Sequence, residues 1–163
     1  MSAILDSLPV RRVRRALATK KVREVLHEVP PEAVRPEAAA RVHGVEPAAV
    51  ARVHVYEIGL VPVMVITAGD RRVAEANLAA VFGLDGEVRR ADPARVEELT
   101  GFPPDGVAPV GGERPMAVAV DPSLGRFPRI FVHTGHPRVL MELTYDDLLH
   151  LTGGRPVPEV AEA

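Results

Sequence analysis

The feature that most constrains the fold is a pair of strand-like runs in the middle of the chain. Residues 52–58 (RVHVYEI) alternate polar and apolar side chains, which is the pattern of a half-buried strand. Residues 61–67 (VPVMVIT) are almost entirely apolar, and this pattern predicts a strand at the centre of a sheet. The chain must therefore bury a sheet that contains both segments.

Short helical segments lie between some of the strand-like runs but not between all of them. An amphipathic helix is predicted over 7–18, where one stripe carries Val10, Val13 and Leu17. The remaining pattern predicts further helices from Pro36, over 73–82, from Asp92-Pro93 to Thr100-Gly101 and from the capping box Thr144–Asp147, and further strands over 22–29, 116–121 and 129–133. This irregular order favours an α+β fold with a mixed sheet over a regular parallel α/β fold. We expect one domain over residues 1–154 and a loosely held tail over 155–163.

Composition and missing motifs exclude several kinds of chemistry. The chain has no cysteine, which excludes disulfides, thiolate metal sites and cysteine nucleophiles. It contains no GxGxxG or GxxxxGK[ST] phosphate-binding loop, no HExxH zinc motif and no GxSxG serine elbow. No apolar run reaches the ~18 residues that a membrane helix needs, and the N-terminus has no signal-peptide pattern. We therefore expect a cytoplasmic protein.

Positive charge is concentrated near the N-terminus. Residues 1–23 contain seven of the 20 lysines and arginines and a single acid, Asp6. Such a cluster on an otherwise acidic chain is typical of a surface that binds a polyanion, and it is equally typical of a solvated helix face. The sequence leaves both interpretations open.

Two loops carry unusual residues. Residues 100–112 (TGFPPDGVAPVGG) contain four glycines and three prolines, a combination that stiffens a loop and leaves its backbone open to a ligand. Residues 132–138 (VHTGHPR) place Gly135 between His133 and His136. A metal site at these two histidines is disfavoured, because no acidic third ligand lies nearby in the sequence. Both loops are also compatible with ordinary surface turns.

Three collinear segments carry a resemblance to a known family. LTGFPPDGVAPVGG, ITAGDRRVAEANLAAVFG and FVHTGHPRVLMELTYDDLLHLTGG resemble, in motif and spacing, the YbaK/ProX group of editing domains, which are related to the editing domain of prolyl-tRNA synthetase. The resemblance runs from about Val10 to Gly154. It implies a single editing domain with a partly barrel-like mixed sheet flanked by short helices.

The resemblance also implies a function. Members of this group hydrolyse the ester that joins a wrong, small amino acid to the 3′ end of a tRNA, chiefly proline tRNA. The group needs no metal and no cofactor. Its partner is aminoacylated tRNA, and whether this chain acts alone or with prolyl-tRNA synthetase stays open.

The resemblance assigns roles to individual residues, and two of them depart from the family pattern. Arg52 stands where the family has a lysine, eighteen residues before Asp70, and Asp105 stands where the pattern has the first glycine of a pair. Arginine keeps the charge and can grip a phosphate, but it cannot act as a base. The implied catalytic positions are Arg52 and Gly106. The implied substrate-binding positions are Gly101, Phe102, Asp105, Val107, Pro109, Gly111, His133, Gly135 and His136, and the predicted tRNA-binding positions are Arg11, Arg12, Arg14 and Arg15.

Two functions of different kinds follow from these residues. The first is a trans-acting aminoacyl-tRNA deacylase with an altered pocket. The second is a module that keeps the fold without hydrolysis and binds tRNA, a ligand resembling aminoacyl-adenosine or a protein partner. Arg52 and Asp105 are the residues that favour the second.

Overall fold

The computed structural model describes residues 3–163 of the chain. Its α-helices are α1 (Leu8–Thr19), α2 (Pro36–His43), α3 (Leu78–Phe82), α4 (Pro93–Thr100) and α5 (Tyr145–Thr152). Its strands are β1 (Leu26–Glu28), β2 (Arg52–Ile58), β3 (Val61–Thr67), β4 (Arg72–Val73), β5 (Val88–Arg90), β6 (Ala117–Val120), β7 (Ile130–His133), β8 (Val139–Leu143), β9 (Arg155–Pro156) and β10 (Ala161–Glu162). None of the helices within 3–163 is both long enough and apolar enough to span a bilayer.

The largest sheet is built around the two strands that the sequence marks most clearly. Its strand order is β5-β2-β3-β6-β9. β2 and β3 form an antiparallel hairpin in which Arg52 lies opposite Thr67, while β6 runs parallel to β3. β3 thus has a neighbour on each side, which confirms the central strand predicted from its apolar sequence.

A second sheet, β1-β8-β7, is antiparallel and meets the first through an isolated bridge between Val50 and Phe131. The third sheet contains only β4 and β10. Parallel and antiparallel pairs therefore coexist, and the mixed α+β class is confirmed. Within residues 3–163 each sheet has open edges, and the strands do not close into a barrel.

Helix α1 covers one face of the main core. Its three stripe residues, Val10, Val13 and Leu17, are almost completely buried, as the sequence predicts. Val13 and Leu17 belong to the same apolar cluster as Ile66 of β3 and Phe102 of the loop after α4. The first sheet, helix α1 and the glycine- and proline-rich loop thus share one core.

Two predicted elements are shorter than the sequence indicates. Helix 73–82 is interrupted, because β4 pairs with β10 and the Ala74 N–H donates to the Val160 carbonyl, so regular helix begins only at Leu78. Strand 22–29 narrows to Leu26–Glu28, the three residues that find partners on β8. In both cases distant hydrogen-bond partners set the boundary.

The C-terminal segment 155–163 is not a loose tail, and that prediction is wrong. β9 adds to the edge of the first sheet beside β6, and β10 pairs with β4. Between them, Val160 is fully buried against the apolar cluster that contains Tyr56 and Leu78. The segment looks polar and rich in proline in sequence, yet its few apolar side chains complete this second core.

Candidate functional site

A hollow of about 330 Å³ lies where the first residues of α2 and β2 meet the glycine- and proline-rich loop. We call it the Arg52 hollow. Four of the predicted site residues line it, namely Arg52, Asp105, Val107 and His133. The guanidinium and the loop therefore share one depression, as the resemblance requires.

Arg52 lies at the rim of this hollow. Its Nη2 is 3.5 Å from Oε1 of Glu37, and the two side chains are 43% and 58% exposed. An ion pair so open to water contributes only about 0–1 kcal/mol, so it is a weak competitor for the guanidinium. Arg52 also lines an adjoining depression with Arg35 and Arg41, which adds positive potential at the rim. The arrangement suits the capture of a phosphate or carboxylate group.

Gly106 joins the two unusual loops. Its N–H donates to the Pro103 carbonyl (3.0 Å), and its carbonyl accepts from the Gly135 N–H (2.8 Å). A Cβ atom at this position would lie 2.7–2.9 Å from the backbone of His136 and Pro137. Both backbone polar groups of Gly106 are thus engaged within the protein, and glycine is required because the loops approach so closely.

The next residue, Val107, presents a different backbone group. Val107 is buried beside the hollow, and its N–H has no hydrogen-bond partner among residues 3–163. Buried amides are nearly always hydrogen-bonded. Within residues 3–163 the N–H of Asp105, which also lines the hollow, likewise has no partner, so the Val107 N–H is one of two amides of this loop at the Arg52 hollow that can donate to an oxygen atom of a ligand.

His133 ends β7 and faces the same hollow. Burial lowers the pKa of its imidazole, while a hydrogen bond to the Pro137 backbone and the Asp105 carboxylate act in the opposite direction. A lowered pKa keeps the ring neutral near pH 7. A neutral imidazole beside a carboxylate can accept a proton from water.

His136 does not share this environment. Its Nδ1 accepts a hydrogen bond from the Arg138 N–H (3.0 Å), so its proton sits on Nε2, and the residue does not line the Arg52 hollow. Gly135, with φ of 96°, serves the turn between the two histidines. Within residues 3–163 no three His, Asp or Glu side chains are placed to hold a metal ion.

The remaining substrate-binding candidates lie elsewhere. Phe102, Pro109 and Gly111 line a separate hollow of about 340 Å³, bounded by Met64 and Arg114 among others. Gly101, with φ of 76°, ends α4 and contacts neither hollow. One stiff loop therefore contributes to more than one depression, which its linear sequence does not reveal.

The sequence did not predict seven residues that line the Arg52 hollow, namely Val34, Arg35, Pro36, Ala51, Val53, Pro104 and Pro137. The sequence marks Pro36 as a helix start, but nothing in it shows that the helix begins beside β2. Pro137 lies within the predicted loop 132–138, and its position directly after His136 is the signal that could have drawn attention to it.

Asp70, which follows Gly69 in the turn after β3, has a structural role. Both carboxylate oxygens of Asp70 accept from Arg126, at 2.9 and 3.2 Å, and this guanidinium lowers the Asp70 pKa. The pair ties the turn after β3 to the turn after β6. Asp70 does not line the Arg52 hollow.

The four arginines predicted to bind tRNA are spread around α1. Arg14 pairs with Glu24 (3.0 Å) and Asp6 (3.7 Å), and Arg12 pairs with Glu113 (3.3 Å). Arg11 and Arg15 are exposed and form no salt bridge within residues 3–163. Two of the four arginines, Arg12 and Arg14, are therefore paired with carboxylates, and the other two are not.

The fold and the hollow agree with a comparison to known families. The model of the aminoacyl-tRNA editing domain matches residues 11–151, which is most of the chain. The protein belongs to this family of editing domains.

Several solved structures are similar to this protein in fold and in sequence. A candidate trans-editing enzyme for prolyl-tRNA synthetase is 30% identical, with a TM-score of 0.88 over 96% of this chain and 99% of that one. A structure from work on epitope backbone grafting onto scaffold proteins is 29% identical, with the same TM-score of 0.88 and coverage of 96% and 99%. A hypothetical protein, 23% identical with a TM-score of 0.82 over 93% of this chain and 99% of that one, shares the fold. Among curated proteins no match was found.

Proposed function

We propose that the protein is a trans-acting deacylase that hydrolyses the ester of a small amino acid wrongly attached to tRNA, with proline tRNA as the expected substrate. The observation that carries the proposal is the meeting of Arg52, Asp105, His133 and the Val107 amide at one hollow in an editing-domain chain. The likeness to a candidate trans-editing enzyme for prolyl-tRNA synthetase supports the choice of tRNA. The reaction belongs in the cytoplasm, where tRNAs are charged.

Arg52 holds the substrate in this proposal. Its guanidinium stays charged at any working pH and can bind a phosphate of the terminal nucleotide through two hydrogen bonds. It cannot remove a proton, so the family's lysine position acts here in binding and not as a base. Its weak pairing with Glu37 leaves it free to turn toward the substrate.

His133 activates the water molecule. The water oxygen attacks the ester carbonyl carbon and gives its proton to the neutral imidazole, while Asp105 stabilises the imidazolium that forms. The Val107 N–H stabilises the negative charge that develops on the carbonyl oxygen. When the bond between that carbon and the ribose oxygen breaks, the imidazolium gives its proton to the leaving ribose oxygen, which becomes a hydroxyl group.

The size of the hollow supports selection of small amino acids. Its volume is about 330 Å³, and its walls include the rigid rings of Pro36, Pro104 and Pro137. A rigid wall excludes a larger acyl group sterically, whereas it distinguishes similar small groups only weakly. We therefore expect activity on esters of amino acids with short side chains.

Asp105, like the replacement of the family lysine by Arg52, favours the second function. Its exposed carboxylate occupies the place of a family glycine and would repel an approaching phosphate. In this alternative the protein binds tRNA, an aminoacyl-adenosine-like ligand or a partner protein without turnover.

Deacylation of a panel of mischarged tRNAs by the wild-type protein separates the two functions. For the deacylase we expect turnover on at least one small amino acid, and Arg52→Ala should lower kcat/KM at least tenfold, which corresponds to about 1.4 kcal/mol of transition-state binding. Arg52→Lys should retain more activity, because it keeps the charge.

Glu37→Gln is the matched control, since it removes the exposed partner of Arg52 and leaves the guanidinium in place. Its kcat/KM should stay within about twofold of wild type. Tight binding of tRNA with no turnover on any ester would instead favour the binding module.

A further inference from the structure

A groove of about 390 Å³ runs between α1 and the end of the glycine- and proline-rich loop. We call it the α1 groove. One wall carries Arg12, Arg15, Ala16, Thr19 and Lys20, and the other is formed by Val110, Gly111 and Gly112. It lies outside the Arg52 hollow, with which it shares no lining residue.

The groove is held in shape by direct contact between its walls. Gly111 has φ of 82°, and a Cβ atom there would lie 3.0 Å from the backbone of Arg12 and Val13. The Arg12 guanidinium is 3.3 Å from Glu113, just beyond the loop glycines. The loop thus rests on the helix, and the groove between them is a fixed feature of the surface.

The groove is strongly positive. The side chains of Arg15 and Lys20 are exposed, and neither has an ion-pair partner within residues 3–163. Glu113 pairs with Arg12 and is outside the set of lining residues. On the other side of the helix, Arg14 is neutralised by Glu24 and Asp6. Two uncompensated cations, Arg15 and Lys20, therefore line the groove, while Arg11, which also forms no salt bridge within residues 3–163, lies outside it.

Carbonyl groups at the end of α1 do not cancel this charge. The carbonyls of Ala16, Leu17 and Ala18 accept from the backbone N–H groups of the three residues Lys20–Val22, and the Lys20 carbonyl is bonded to the His150 ring. Hydrogen-bonded carbonyls offer less negative potential to the groove than free ones. An anion in the groove would therefore face mainly cationic side chains.

The groove lies within reach of the Arg52 hollow along one loop. Gly111, at the groove, lies four positions after Val107, at the hollow, a span of at most about 14 Å. A stacked nucleic-acid strand advances about 3.4 Å per nucleotide. With the terminal adenosine at the hollow, phosphates up to about four nucleotides back along the strand can reach the groove.

We propose that the α1 groove binds the backbone phosphates of the unpaired 3′ strand of tRNA, through Arg12, Arg15 and Lys20. The proposal rests on the proposed function, because it takes the terminal adenosine to occupy the Arg52 hollow. It replaces the four arginines of the sequence prediction by a different set that includes Lys20 and leaves out Arg11 and Arg14. The cations of the groove contact phosphates and not base edges. The groove therefore adds affinity for tRNA without selecting a particular tRNA sequence.

The test compares binding of unacylated proline tRNA transcript to the full-length protein over a series of salt concentrations. The double variant Arg15→Glu/Lys20→Glu should weaken binding at least tenfold at about 0.1 M salt and reduce the slope of log affinity against log salt by about one to two. Both side chains are exposed, so the fold is preserved, which circular dichroism and the melting temperature confirm.

The charge-matched control is Arg72→Glu/Arg89→Glu, which reverses two exposed arginines that do not line the groove. Its affinity and salt slope should stay close to wild type. Equal losses in both double variants, or no loss in either, would overturn the proposal.

The same measurements separate this proposal from the deacylase. A wild-type protein that binds tRNA with the groove-dependent slope but hydrolyses no ester would refute the deacylase and support the groove. If the wild-type protein deacylates and the Arg15→Glu/Lys20→Glu variant has the same kcat/KM, the deacylase is supported and the phosphate-binding groove is refuted.

Discussion

Gly106 shows how one residue fixes the geometry of the site. The site needs the loop after α4 and the turn after β7 to touch, and they touch where Gly106 meets the backbone of His136 and Pro137. Since the neighbouring atoms belong to backbone, they cannot move aside as a flexible side chain can. The residue that positions Val107 and Asp105 is therefore one without a side chain.

We predict that Gly106→Ala destabilises the protein by about 1–3 kcal/mol, because the added methyl group forces the two loops apart. Urea unfolding measures the change. The control is Gly125→Ala, whose Cβ would make ordinary contacts of 3.4–3.7 Å with Tyr145. The control should change stability by no more than about 0.5 kcal/mol. Equal effects of the two variants would contradict the steric argument.

At this scale the sequence identified side chains better than backbone groups. Arg52 and Asp105 were found because motif spacing marks their positions, and the structure brings both to one hollow. The available amide of Val107 could not be found in the same way. Which N–H of a loop is left without a partner depends on the folded path, since Gly106 is satisfied by Pro103 only in that turn.

Among the secondary-structure elements, the C-terminal strands depend most on distant partners. β10 is only two residues long and gains its place by pairing with β4 and by burying Val160. Two-residue strands have no stability alone. Their formation stabilises the helix start that follows β4, since Ala74 is bonded to Val160.

Deletion of residues 157–163 should therefore lower the free energy of unfolding by at least about 2 kcal/mol, the value expected from exposing one buried valine and its neighbours. Thermal unfolding gives the measurement. Glu162→Ala removes only the exposed pair with Arg72 and should leave the melting temperature almost unchanged. A truncated protein as stable as wild type would show that the segment is held weakly after all.

The bounds of the longer helices and strands agree with those predicted from the sequence. β2, β3 and α4 have the predicted bounds, and the Asp92 and Thr144 side chains accept the N-cap hydrogen bonds expected of them. In these segments the alternation of side chains and the capping residues act over a few positions, so sequence alone is sufficient.

For the molecule as a whole, partly buried histidines link stability to pH. His54 of β2 donates from Nε2 to Thr67 (3.0 Å), since Arg90 can only donate toward its Nδ1. Burial, together with Arg90 and Arg52, lowers the His54 pKa to about 4. Burial likewise lowers the pKa values of His43 and His133. All three rings are neutral in the folded protein near pH 7.

Because the folded pKa of His54 lies below the value of about 6.5 in unfolded chains, the unfolded state takes up a proton first as the pH falls. Stability from neutral His54 is complete above about pH 6.5 and is lost between about 6.5 and 4. Between pH 7.5 and 5.0 this amounts to about 2 kcal/mol.

Urea unfolding at pH 7.5 and 5.0 tests this linkage. His54→Gln keeps a donor for Thr67 but cannot be protonated, so its loss of stability between the two pH values should be smaller than that of wild type by about 2 kcal/mol. An unchanged pH dependence in His54→Gln would show that other groups control the effect.

The sequence by itself determined the α+β class, the central hairpin, the buried stripe of α1 and the family, because each depends on side chains close together in the chain or at fixed motif spacing. Tertiary structure alone decided which loop amides are available, that α2 supplies a wall of the Arg52 hollow, that residues 155–163 complete a core, and which cations of α1 face the groove. These features depend on contacts between segments far apart in sequence. Such contacts are chosen by packing and by the pairing of backbone groups, and no local pattern records them.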